Sequence, residues 1–144
     1  MPQNYKNHRQ YIPSYHMLLL PLILVCLVIS VYELYIALFV VKHGRLVASG
    51  LFLLSDVALA MFFFNRGFAL KAQDRAIRAE ENLRHFALTG RLLDKRLRTG
   101  QIIALRFADD TEFLILSEKA ANENMKPNEI KKAIINWKAD HYRV

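Results

Sequence analysis

The chain has 144 residues, a formal net charge of +7 and a mean hydropathy of +0.12. That length holds at most one or two small units, and a single cysteine, Cys26, excludes an internal disulfide and any cysteine-based metal cluster. The mild mean hydropathy hides a division: an apolar first part is balanced by residues 65–144, where sixteen Lys and Arg stand against eleven Asp and Glu, a net of +5.

Residues 1–16 are polar or mixed and form a cytoplasmic or interfacial N-terminal segment. Residues 17–41 follow, twenty-five positions with one charge, Glu33. This run is longer than the ~7–15 residues of a signal-peptide core, and a second apolar run follows at once, so it reads as a retained anchor. Pro13 suits a first-turn position, where its missing N–H costs nothing. Pro21 lies further in and marks a kink or the start of the regular helix. Residues 42–45, Lys42-His43-Gly44-Arg45, are a short outside loop. Residues 46–64 are nineteen positions with one charge, Asp56. A helix of about 20 apolar residues crosses the ~30 Å hydrocarbon core, so both runs qualify as transmembrane helices and the short loop makes them a hairpin.

Flanking charge sets the orientation. The loop carries Lys42 and Arg45, whereas the other side carries Lys6, Arg9, Arg66, Lys71, Arg75 and Arg78. Two positive charges against six place both termini in the cytoplasm. Tyr11, Tyr15, His16 and the aromatic run 62–64 fall at the interface, the depth such rings favour.

Glu33 and Asp56 are the sharpest chemical feature, because a carboxylate in mid-membrane is expensive. Each lies about 12–15 Å from the loop side at ~1.5 Å per residue. Cys26, Ser30, Glu33 and Ala37 form a small or polar stripe on the first helix, and Ser49, Asp56 and Ala60 form one on the second. Such stripes allow close helix approach in lipid. One reading is a proton or cation site shared by the two acids. The plainer reading is that they are neutral, or hydrogen-bonded to Ser30, Tyr32 or Tyr35, and hold a hairpin or an oligomer together.

Residues 65–98 are expected to be a charged juxtamembrane helix that continues the second span. No proline interrupts residues 65–88, and Asp74–Arg78 and Glu80–Arg84 have the acid-first i,i+4 spacing of helix ion pairs. Phe68, Ala72, Ala76 or Ile77, Leu83 and Phe86 supply an intermittent apolar side, too irregular for clear heptads. Gly90 or Thr99-Gly100 ends this helix.

Residues 99–144 read as a small cytoplasmic helical domain. Thr99 caps a helix over residues 101–107, and Asp109 or Asp110 caps one over residues 111–122. Pro127 opens the last, with Ile130, Ala133, Ile134 and Trp137 as its apolar stripe. Lys131, Lys132 and Lys138 lie mostly away from that stripe. Together with Trp137 they are the candidate contact for anionic headgroups or a partner, since Trp flanked by Lys suits the interface. The same three segments are similar in outline to a helix-turn-helix nucleic-acid binder, although the last turn is long and lacks glycine.

Enzyme chemistry finds no foothold. The histidines at 8, 16, 43, 85 and 141 are scattered, and no HExxH, phosphate-binding glycine loop or nucleophile elbow occurs. His8 and His16 alone are too few for a metal site. No cofactor is expected.

Several stretches carry a resemblance. They are Gln3-Asn-Tyr-Lys-Asn-His8 with Tyr11, Pro13, Tyr15 and His16; Leu70-Lys-Ala-Gln-Asp-Arg75 with Ile77-Arg78 and Glu80-Glu81; Ala104-Leu-Arg-Phe-Ala108; and Ile130-Lys-Lys-Ala-Ile134 with Asn136-Trp137, Ala139-Asp140 and Arg143-Val144. With them the chain resembles a family of unknown function, made of small bacterial two-span membrane proteins with a cytoplasmic helical tail. The resemblance implies an inner-membrane location and brings no activity, cofactor or catalytic residue.

The expectation is therefore an all-α protein: a transmembrane hairpin, a juxtamembrane helix and a small cytoplasmic helical domain. Its expected role is a non-enzymatic interaction or scaffold subunit that meets the bilayer, anionic headgroups and a second copy or a membrane protein partner. A small proton- or cation-conducting oligomer using Glu33 and Asp56 is the first alternative. A membrane-tethered nucleic-acid binder is the second.

Overall fold

The computed structural model describes residues 4–7 and 12–140. Among them helix is the only extended secondary structure, in the order α1 (Ser14–Val40), α2 (Arg45–Thr89), α3 (Thr99–Leu105), α4 (Asp110–Asn122) and α5 (Pro127–Ala133). The chain divides into two compact units. One is Tyr11–Ala69; the other joins Met1–Gln10 to Leu70–Val144.

In the first unit, α1 is α-helical over Leu20–Tyr35 and widens to π-helical turns at Ser14–Leu19 and Ile36–Val40. Pro21 sits in the first turn of the regular stretch. It has no N–H, so the carbonyl four residues earlier lacks its usual donor, which favours wider winding there. The regular helix thus begins beside Pro21. The connection 41–44 is tight, with Lys42 and Gly44 at positive φ of 61° and 71°. Arg45, expected in the loop, already belongs to α2.

Past this reversal residues of both helices line two shared grooves. The Tyr15 ring stacks on Phe62 at 4.2 Å between centroids, and its hydroxyl donates to the Phe62 carbonyl. Ile36, Ser49 and Ala58 are half-buried beside two regular lines of shielded positions, Leu20, Ile23, Leu27, Ser30, Leu34 and Ala37 on α1 and Ala48, Phe52, Ser55, Leu59 and Phe62 on α2. Both sets alternate steps of three and four, the spacing of left-handed helix pairing. The remaining surface is uncovered. Only 11% of the most apolar stretch of either helix is buried, and both helices are long and apolar enough to cross a membrane.

In the second unit α2 runs on without a break to Thr89 and stops at Gly90, whose φ is +71°. The expected continuation to residue 98 does not form. Gly90 donates its N–H to the Phe86 carbonyl at 2.7 Å, closing the helix with a left-handed residue. His85 then binds the Arg91 carbonyl through Nδ1 at 2.7 Å, and the Leu93 N–H reaches Asn82 Oδ1 at 3.3 Å, which turns the chain back.

Helices α3, α4 and α5, with the chain on either side of α3, build a core from Leu93, Leu97, Ile102, Leu105, Phe107, Phe113, Leu116 and Ile130. Asp109 caps α4 as expected, accepting the Glu112 N–H at 2.8 Å. Pro127 opens α5, and Lys126 donates its N–H to Glu129 Oε2 at 2.7 Å. Thr99 is not the cap of α3. Arg98 holds that position in extended backbone, and Gln101 Oε1 accepts its N–H at 2.7 Å. Gln101 is buried and also donates to the Met125 carbonyl at 2.9 Å, so one amide ties the start of α3 to the chain beyond α4. Gly100 allows α3 and α5 to close up, since a Cβ there would lie 3.3 Å from Pro127 Cγ.

Candidate functional site

The apolar helices place their two acids differently. Glu33 lines a groove of about 420 Å³ with Cys26, Ser30, Leu51, Leu54 and Ser55, and a second one with Ala37, His43 and Ala48. It remains exposed at the edge of the helix contact. Asp56 lines neither groove. Five residues at about 100° each put it roughly 140° around α2 from Leu51. The structure does not bring the acids together as a pair.

The reason lies in which stripe packs. On α1, Ser30 and Ala37 are buried as expected, and Ser30 donates to the Leu27 carbonyl at 2.8 Å. On α2 the packed face carries Ala48, Ser55 and Phe62 and not Asp56 or Ala60, which are exposed. The stacking of Tyr15 on Phe62 helps fix this rotation. The Arg66 guanidinium lies over the Tyr15 ring, 5.7 Å from its centroid. His16 binds the Ile12 carbonyl through Nδ1 at 3.0 Å; His8 lies outside the described residues.

The basic candidates in the tail have mixed roles. Helix α5 ends at Ala133, so Trp137 is not on its stripe. Ile134 turns extended, with ψ 125°. The Glu112 carboxylate accepts the N–H groups of Ile135 and Asn136, each at 3.1 Å. Trp137 then pairs with Ala108 as an isolated antiparallel bridge, and the Lys138 N–H reaches the Phe107 carbonyl at 2.7 Å. The indole packs 5.1 Å from the Phe107 ring and completes the core. It is a structural residue of this unit. The Lys131 ammonium lies 5.7 Å from the Phe107 ring centroid, and that of Lys132 lies 5.7 Å from Tyr5. Lys132 and Lys138 remain exposed at the surface.

The densest polar constellation was not apparent from spacing. Arg84, expected to pair with Glu80, instead contacts Glu81 at 3.0 Å, Asp110 at 2.6 Å and the Ala108 carbonyl at 2.9 Å. Its guanidinium also lies over Phe113, 4.4 Å from the ring centroid. Glu81 is 8% exposed, so its pair with Arg84 is sheltered within α2, and the contact of Arg84 with the exposed Asp110 fastens α2 to α4. The Arg106–Asp140 pair, 3.2 Å apart, does the same for the end of the described chain. At the surface, the Arg96 side chain holds the Asp94 carboxyl down to about 2 through hydrogen bonds. The Glu112 N–H at the cap, helped by the Thr111 hydroxyl, lowers the Asp109 carboxyl. Each of these charged groups is held by a partner within the unit.

No curated protein and no solved structure matches the chain. A family model does match, from residue 1 to residue 144. The chain therefore belongs to the Family of unknown function (DUF6526).

Proposed function

We propose that the chain is a two-span protein of the bacterial inner membrane. Its α1 and α2 form a transmembrane hairpin with both termini in the cytoplasm, and its basic helical tail serves as a non-enzymatic docking or scaffold module. The observation that carries this reading is the uncovered apolar surface. The apolar stretches of α1 and α2 are only 11% buried, whereas the core helix of a soluble protein is mostly covered. Apolar patches that large seek lipid or a partner. The tail supports the second half of the reading. It has its own core, a net of +5 over residues 65–144, and lysines left at its surface.

The test is alkaline carbonate extraction of native membranes followed by lysine crosslinking and mass spectrometry. The chain is expected in the stripped membranes, with crosslinks from Lys132 and Lys138 recurring on one protein or on headgroups. Release by carbonate would contradict the spanning reading. Crosslinks spread over the abundant membrane proteins would contradict the scaffold reading. A conducting oligomer draws less support, because Glu33 and Asp56 lie on different faces within one chain.

A further inference from the structure

The part of α2 in the tail unit carries a side that this unit leaves open. Ala72, Ala76, Ala79, Leu83 and Phe86 are all exposed, Leu83 at 68% and Phe86 at 51%. From Ala72 onward they step by four, three, four and three, the a/d spacing of a coiled-coil seam. The packed side of the same stretch is a different one, marked by the buried Ile77 and Glu81. Arg75 precedes the seam position Ala76, and Glu80 follows Ala79. They therefore occupy flanking g and e positions five residues apart. In a parallel pair such positions face each other across the seam. Both side chains are exposed, and among the described residues neither forms an ion pair within the chain.

We propose that this seam pairs in parallel with the same seam of a second copy, Arg75 of each chain facing Glu80 of the other. The proposal rests on the spanning reading above. Two copies inserted with the same topology present their α2 helices side by side and parallel. Fifteen residues, about 22 Å of helix, are too short to hold a coiled coil in free solution. Anchoring in one bilayer supplies the effective concentration that so short a seam needs. The alanines allow close approach, Leu83 and Phe86 provide the apolar contact, and the two symmetry-related Arg–Glu pairs set register and direction.

The experiment uses the full chain in carbonate-stripped native membranes, with Cys26→Ser and single cysteines introduced elsewhere. Oxidative crosslinking should yield dimers for Ala79→Cys and Leu83→Cys, and not for Arg78→Cys on another side of the helix. Arg75→Glu or Glu80→Arg alone should reduce the crosslinked fraction by about threefold, and the double reversal should restore it. A chain absent from the stripped membranes would refute the spanning reading, and the proposal with it. A chain retained there but monomeric at positions 79 and 83 overturns the pairing alone. Equal crosslinking at position 78, or a double reversal that does not restore the dimer, also overturns it.

Discussion

Phe113 joins the core of the tail unit to its main ionic cluster, and its replacement tests both. The ring is fully buried, with the Arg84 guanidinium 4.4 Å from its centroid on one side and the His85 ring 6.0 Å away. Truncating a buried Phe to Ala costs about 3–5 kcal/mol through lost transfer energy and a residual cavity. A unit of 85 residues has roughly 4–13 kcal/mol of stability in all. Phe113→Ala should therefore remove at least about a quarter of it. Phe113→Leu keeps most of the volume and loses the ring face under Arg84, a cost of about 1–2 kcal/mol. The reporter is built in. Trp137 is the one tryptophan of the chain and packs on Phe107, so its fluorescence follows this unit in the full-length protein in detergent. With a urea slope of about 1 kcal/mol/M, Phe113→Leu should lower the midpoint by about 1–2 M. An Ala variant whose midpoint stays within about 0.3 M of the parent would refute the placement of Phe113 in the core.

Other outcomes follow from the same geometry, read by the same fluorescence. Arg84→Met leaves the sheltered Glu81 carboxylate and the Ala108 carbonyl without their donor and should cost about 3 kcal/mol. Adding Glu81→Leu should recover much of that loss, whereas no recovery would mean that the pair is not the cause. Gly90→Ala should cost about 1 kcal/mol from the left-handed backbone alone, because a Cβ there meets nothing within 4 Å. Gly90→Asn should cost less, since Asn tolerates that region. Asp94 and Asp109 titrate lower in the folded unit than in the unfolded chain, so their contribution is present above pH ~4 and fades as pH falls toward the folded values. Asp94→Asn with Asp109→Asn, where Asn still caps α4, should flatten the fall of the urea midpoint between pH 5 and about 2. An unchanged acid slope would show that these contacts do not form.

Much of the architecture was open to sequence reasoning because its causes are local. The apolar runs announce α1 and α2. The absence of proline after Phe64 lets α2 continue, and Gly90 supplies the left-handed residue that stops it. Asp109 and Pro127 mark the starts of α4 and α5 through cap chemistry that involves only near neighbours. The failures have distant causes. Trp137 leaves the α5 stripe because Glu112, more than twenty residues earlier, takes the N–H groups of Ile135 and Asn136. Arg84 abandons the i,i+4 partner Glu80 for Glu81 and for Asp110, which lies 26 residues away. The small residues Ser49 and Ala60 suggest a packed face for Asp56, yet the contact on α2 mixes Ala48 and Ser55 with large Phe52 and Phe62. Residue size alone does not reveal which of two adjacent stripes turns inward; the Tyr15–Phe62 stack does.

The central claim is that α1 and α2 cross a membrane together and return the chain to the side on which it began. The direct measurement is thiol labelling of intact cells with an impermeant reagent, on full-length chains carrying Cys26→Ser and one new cysteine. His43 lies in the connection between the helices, and Ile135, 84% exposed, lies on the tail. His43→Cys should label from outside. Ile135→Cys should label only after the membrane is opened. Labelling of Ile135→Cys in intact cells, or of neither position before lysis, would contradict the account.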